Sequence, residues 1–127
     1  MALLLLSGCA ENKPVYDKVY NQNLLPLKCL NIDAINGEEN KKLNNLFAPY
    51  SSKNCKYSLR LNIYKVAKCT AIESKTTGLG FSGYSRVEIY KNKDIIYKSQ
   101  SDFVSDVNGS IERIANRIFK VGLLVKK

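Results

Sequence analysis

Histidine is absent from this 127-residue chain, and with it go the commonest general base, the commonest metal ligand and every histidine-containing nucleophilic triad. Hydrolase chemistry of the ordinary kind has little left to work with. No apolar run approaches the ~20 residues that a transmembrane helix requires. Cysteines number four, and their spacings match no zinc signature. Glu38 and Glu39 are adjacent at a helix start and point different ways, so they do not form an acid–base pair. Gly78 and Gly80 precede a strand, whereas phosphate loops precede a helix. Cys69 has no histidine to activate it. These absences argue against an enzyme, and against any metal or nucleotide cofactor.

What remains is one domain of ordinary size, long enough to bury about two-thirds of its unfolded surface without help from metals. Twenty Lys and Arg face eleven Asp and Glu, a formal charge of +9. Such a balance suits a polyanionic partner: nucleic acid, an anionic membrane surface or a phosphorylated lipid. Charge alone does not choose among them, and a Lys- and Asn-rich composition also suits a merely solvated face.

The first ten residues make the choice. Ala2 to Leu6 are apolar and lead into Leu6-Ser7-Gly8-Cys9, after which the chain turns polar at Glu11, Asn12 and Lys13. Small residues before a cysteine are what a lipoprotein signal peptidase needs, and a thiolate at the new N-terminus can accept a diacylglyceryl group. The apolar stretch is shorter than the usual ~7–15 residues and no basic residue precedes it, which points to missing residues upstream. Residues 1–8 are therefore expected to be the remnant of a lipoprotein signal, 9–26 the lipidated Cys9 with an extended linker, and 27–127 a single domain. Cys29, Cys55 and Cys69 remain. In an oxidising compartment this odd set allows one bridge and leaves one thiol over, without showing which two would pair. Cys29 and Cys69, in strand-like segments, also suit the role of small apolar filler.

Along the domain, apolar residues from Leu27 to Ile35 suggest a short strand stopped by Asn36-Gly37. Asn36 and Glu39 resemble a capping box, and Leu43, Leu46 and Phe47 form a stripe, giving a helix over 37–48 that Pro49 ends. Tyr57, Leu59, Leu61 and Ile63 alternate with polar residues as a half-buried strand, and the loss of phase after Ile63 suggests a bulge near Lys65. A third strand carries Val87 and Ile89 on one face and Tyr84, Arg86, Glu88 and Tyr90 on the other. Lys91-Asn92-Lys93-Asp94 turns it into a fourth, from Ile95 onward. Val107, Ile111, Ile114, Ala115, Ile118 and Phe119 mark a closing helix over 106–123, capped by Asp106 or Ser105. The order β-α-β-β-β-α predicts an α+β two-layer sandwich: a four-stranded, mainly antiparallel sheet with two helices on one face. The other face, holding Arg60, Asn62, Tyr64, Tyr84, Arg86, Glu88 and Lys98, has nothing to cover it.

In this order and spacing the chain resembles the lipopolysaccharide-assembly lipoproteins of the LptE family, particularly their short alphaproteobacterial members. The resemblance spans nearly the whole mature chain. It rests on Leu6–Cys9, Pro14-Val15-Tyr16, the Gly-acidic helix start, Leu43-Asn44-Asn45-Leu46, Tyr57-Ser58-Leu59-Arg60-Leu61, the hairpin through Tyr84 and Tyr97, the serine-rich stretch 99–105 and the closing helix. It implies a non-catalytic protein, lipid-anchored through diacylglycerol and an N-acyl chain on Cys9 at the periplasmic side of the outer membrane. Such a protein plugs and helps assemble the LptD β-barrel and contacts lipopolysaccharide bound for the outer leaflet. Residues that could meet lipid A phosphates are Arg60 and Arg86 on the open face, Lys65 and Lys68 near the expected bulge, and Lys91 and Lys93 at the hairpin turn. An unrelated envelope lipoprotein, serving secretion or phospholipid transport, would share the anchor. A single-stranded RNA reader would share the interleaved tyrosines and cations, but a lipidated N-terminus would exclude it.

Overall fold

A computed structural model describes residues 13–32, 38–65 and 82–126. The described chain is α+β, with five strands in one mixed sheet and two α-helices. The strands are β1 (Val15–Val19), β2 (Asn31–Ile32), β3 (Tyr57–Lys65), β4 (Gly83–Lys91) and β5 (Asp94–Phe103); the helices are α1 (Glu38–Leu46) and α2 (Val107–Lys120). The sheet order is β1-β5-β4-β3-β2, antiparallel except that β2 runs parallel to β3.

Alternation along β3, β4 and β5 decides which side becomes core. Leu59, Leu61, Val87, Ile89 and Tyr97 share one face and are buried. Leu43 of α1, Phe47 just after it, and Ile111, Ile114, Ala115 and Ile118 of α2 complete the same cluster. α2 approaches closely because small residues line its path. The Ser85 and Ser110 hydroxyls lie 2.6 Å apart in a fully buried contact, and Arg113 Nε donates to Ser101 Oγ at 3.0 Å. The helix starts at Asp106, whose Oδ1 accepts from the Gly109 N–H at 2.8 Å. It ends at Gly122, whose φ of +76° lets the Leu123 N–H reach back to the Ile118 carbonyl.

Several expectations are corrected. The stretch expected to be linker holds β1, which pairs with β5 from Val15↔Ser101 to Val19↔Tyr97, so the sheet has five strands where four were expected. Of the expected strand over 27–35, residues 33–35 lie outside the described residues; Asn31–Ile32 is strand, and Leu27 and Leu30 before it are core residues joined to Leu124 and Ser51 by isolated bridges. Among the described residues no bulge interrupts β3, whose pairing with β4 is continuous from Tyr57↔Lys91 to Lys65↔Gly83. Tyr64 lies on the polar parity because its ring stacks on Tyr84 there, centroids 5.3 Å apart. The register shift falls between Ile89 and Tyr90, where Ile96 is the extra residue of β5, and it turns Ile96 and Tyr97 together into the core. Cys29 is no free filler: it is bonded to Cys55, their Cα atoms 5.9 Å apart. Asn36, Gly37, Lys68, Cys69 and the cysteine at position 9 lie outside the described residues.

Candidate functional site

The second face of the sheet is formed by the opposite parity of the same strands. Register aligns it in rows across β3, β4, β5 and β1: Tyr64, Tyr84 and Asp102; then Asn62, Arg86, Gln100 and Tyr16; then Arg60, Glu88, Lys98 and Lys18. None of these residues is buried. Local physics orders the rows. Arg86 donates through Nε and Nη2 to Gln100 Oε1, at 3.0 and 2.9 Å, and its guanidinium lies 4.9 Å from the Tyr84 ring centre. Arg60 lies 5.0 Å from the ring of Tyr90, and Asn62 Nδ2 donates to Glu88 Oε1 at 3.2 Å. Burial raises the pKa of the Tyr90 phenol, with the Glu88 carboxylate adding to it. The result is a shallow, wet platform of flat rings and planar cations, able to take an anion or a planar group without closing over it.

Of the residues expected to contact ligand, Arg60 and Arg86 share this platform, two residues apart on adjacent strands. Lys65 and Lys91 do not: both belong to the parity of the core face, at opposite ends of the β3–β4 ladder. Eight residues at ~3.3 Å each separate those ends by roughly 26 Å. Lys93 is exposed in the turn closed by Lys91↔Asp94, beside Asn92 with its φ of 58°. No single site gathers all of these cations. Sequence reasoning missed Tyr16 and Lys18, which join the platform through β1. The alternation Val15-Tyr16-Asp17-Lys18-Val19 carried the signal, obscured by an acid on the inward side.

That acid has its own surroundings. Asp17 Oδ2 accepts from the Tyr97 hydroxyl at 3.1 Å and from Arg117 Nε at 2.9 Å, which ties β1 both to β5 and to α2. Burial pushes the Tyr97 phenol far above the ordinary tyrosine range, and the nearby Asp17 carboxylate opposes its ionisation further. Hydrogen bonding to Asp17 also raises the Arg117 guanidinium. Beside this triad, between the edge of β1 and the end of α2, lies a cleft of about 470 Å³. Among the described residues no group of three Cys, Asp or Glu side chains could hold a metal ion, and no helix is long and apolar enough to cross a membrane. Comparison with protein-family models, curated proteins and solved structures finds no match to this chain.

Proposed function

We propose that the protein is a non-catalytic, lipid-anchored envelope component that plugs and helps assemble an LptD-type outer-membrane barrel and assists lipopolysaccharide transport. One observation carries the reading: among the described residues a sheet dry on one side is left open on the other, and the open side presents Arg60, Arg86, Lys18 and Lys98 among tyrosines. A plug in a water-filled lumen needs that division, since its own core must stay dry while its outer face meets polar barrel walls and anionic glycolipid. Arg60 and Arg86 would donate charge-assisted hydrogen bonds to lipid A phosphates. The Cys29–Cys55 bond favours an oxidising compartment over the cytosol, and so favours this reading over an RNA reader built on the same tyrosines. A lipid on Cys9 would sit six residues before Val15, within ~20 Å of the sheet.

Intact-mass measurement of membrane-extracted protein tests the anchor: loss of the first eight residues with gain of three acyl chains supports it. Crosslinking in cells then tests the partner. Recovery of a large outer-membrane barrel is expected, and recovery of a secretion or phospholipid-transport complex instead would reassign the protein to another envelope system. Arg60→Ala with Arg86→Ala should reduce lipopolysaccharide crosslinking while leaving barrel recovery intact.

A further inference from the structure

Among the described residues β1 ends the sheet with one hydrogen-bonding edge open. The Tyr20 N–H donates to the Ile96 carbonyl at 2.8 Å. By the alternation of an antiparallel ladder, Lys18 and Tyr16 also face β5, whereas the N–H and C=O groups of Val15, Asp17 and Val19 face outward. No backbone partner meets them among the described residues. An edge of this kind is a template for another strand.

Two features beside the edge define what would pair with it. Below it is the cleft bounded by Asp17, Val19, Leu25, Pro26, Arg117 and Val121. Val121 is 39% exposed there, a ready contact for an apolar side chain entering from an added strand. Above it, Lys18 stands directly opposite Lys98, a like-charge cross-strand pair that costs stability unless an acid lies alongside. Glu88 stands opposite Lys98 from the β4 side. Lys18 Nζ lies 4.9 Å from the Tyr20 ring centre, and among the described residues no acid flanks it on the open side. A second copy of β1 cannot supply one, because its residues of that parity are Tyr16 and Lys18.

We propose that the free edge of β1 accepts an extended segment of another protein by strand addition. That segment alternates apolar side chains, which enter the cleft, with acidic ones, which lie over Lys18. The inference does not depend on the transport reading, since it uses only the edge, the cleft and the lysine pair.

The test uses the full chain and two fluorescent heptapeptides, one alternating Val with Glu and one alternating Val with Lys. The Glu peptide should bind saturably and slow hydrogen exchange at the amides of Val15, Asp17 and Val19. The Lys peptide should bind at least about fivefold more weakly. Lys18→Glu, at an exposed position, should reverse that preference. Val19→Pro removes one outward donor without touching an inward bond and should abolish binding while the circular dichroism stays native. Equal binding of both peptides, absence of binding, or protection elsewhere than β1 would overturn the proposal. Should Val19→Pro unfold the chain, the exchange pattern and the Lys18→Glu reversal decide alone.

Discussion

Replacing Cys29 and Cys55 together by serine opens a loop of sequence separation 26 that encloses all of α1. The native arrangement should survive the change. Leu27 and Leu30, on either side of Cys29, are held by their own bonds: Leu27 N–H to the Leu123 carbonyl at 2.7 Å, and Leu30 N–H to the Tyr50 carbonyl at 2.8 Å. Both side chains are buried in the core. The cost should therefore fall on the unfolded chain, which gains the freedom that the bridge had denied it. Chain-entropy arithmetic for a loop of that length gives about −12 cal/mol/K, or about 3.5 kcal/mol at 25 °C. With a urea slope of about 1.5 kcal/mol/M, the midpoint should fall by roughly 2 M at unchanged slope. Urea titration followed by far-ultraviolet circular dichroism reads both quantities, and reductant added to the native protein should reproduce the shift. A loss below about 1 kcal/mol would mean that the unfolded chain is already compact across this loop. A native spectrum lost without denaturant would mean that the bridge, and not the leucine anchors, holds the segment in place.

Tyr97 predicts an alkaline limit. Its folded-state pKa is raised, so the stability it contributes is complete below the unfolded tyrosine value of about 10 and is lost as pH rises from there toward the folded value. Thermal unfolding midpoints should therefore fall above that pH, and Tyr97→Phe should flatten the fall; an unchanged profile would reject the assignment. Gly83→Ala should destabilise by about 1–3 kcal/mol in urea titration, because a Cβ there would collide with the Tyr64 carbonyl oxygen and the Phe103 ring. Asp106→Ala removes the cap on Gly109 and should cost about 1 kcal/mol, recovered in good part by Asp106→Asn.

The parts of the fold legible in the sequence are those whose pattern is local. The β4–β5 hairpin is announced by period-two alternation in β4, a four-residue polar turn and a renewed apolar run from Ile95, and α2 by a 3.6-residue stripe with its cap, so both are expected within a few residues of where they lie. β1 is not legible in this way, and β2 is legible only within a longer expected strand over 27–35. β1 puts an aspartate on its inward face, which breaks the alternation for any reader of neighbours alone. Asp17 becomes intelligible only beside Tyr97 and Arg117, which lie 80 and 100 residues further along the chain. Ahead of β2 the chain is held by isolated bridges, Leu27 to Leu124 and Leu30 to Ser51, which leave no periodic trace.

The candidate site divides in the same way. Arg60 and Arg86 could be placed together from parity alone, since each strand keeps period two throughout its pairing. Parity equally separates Lys65 and Lys91 from them, for both carry odd numbers with Leu59, Leu61, Val87 and Ile89; grouping cations by charge overrode a signal already present. Sequence could not bring Lys18 to Lys98, because register between β1 and β5 is set by Asp17 meeting Tyr97 and Arg117 beneath the sheet. The buried-side triad thus fixes which cations stand together on the open side. Shifting β1 by one residue would turn Asp17 outward and Lys18 into the core, so the charge pattern of the exposed face is specified from below it.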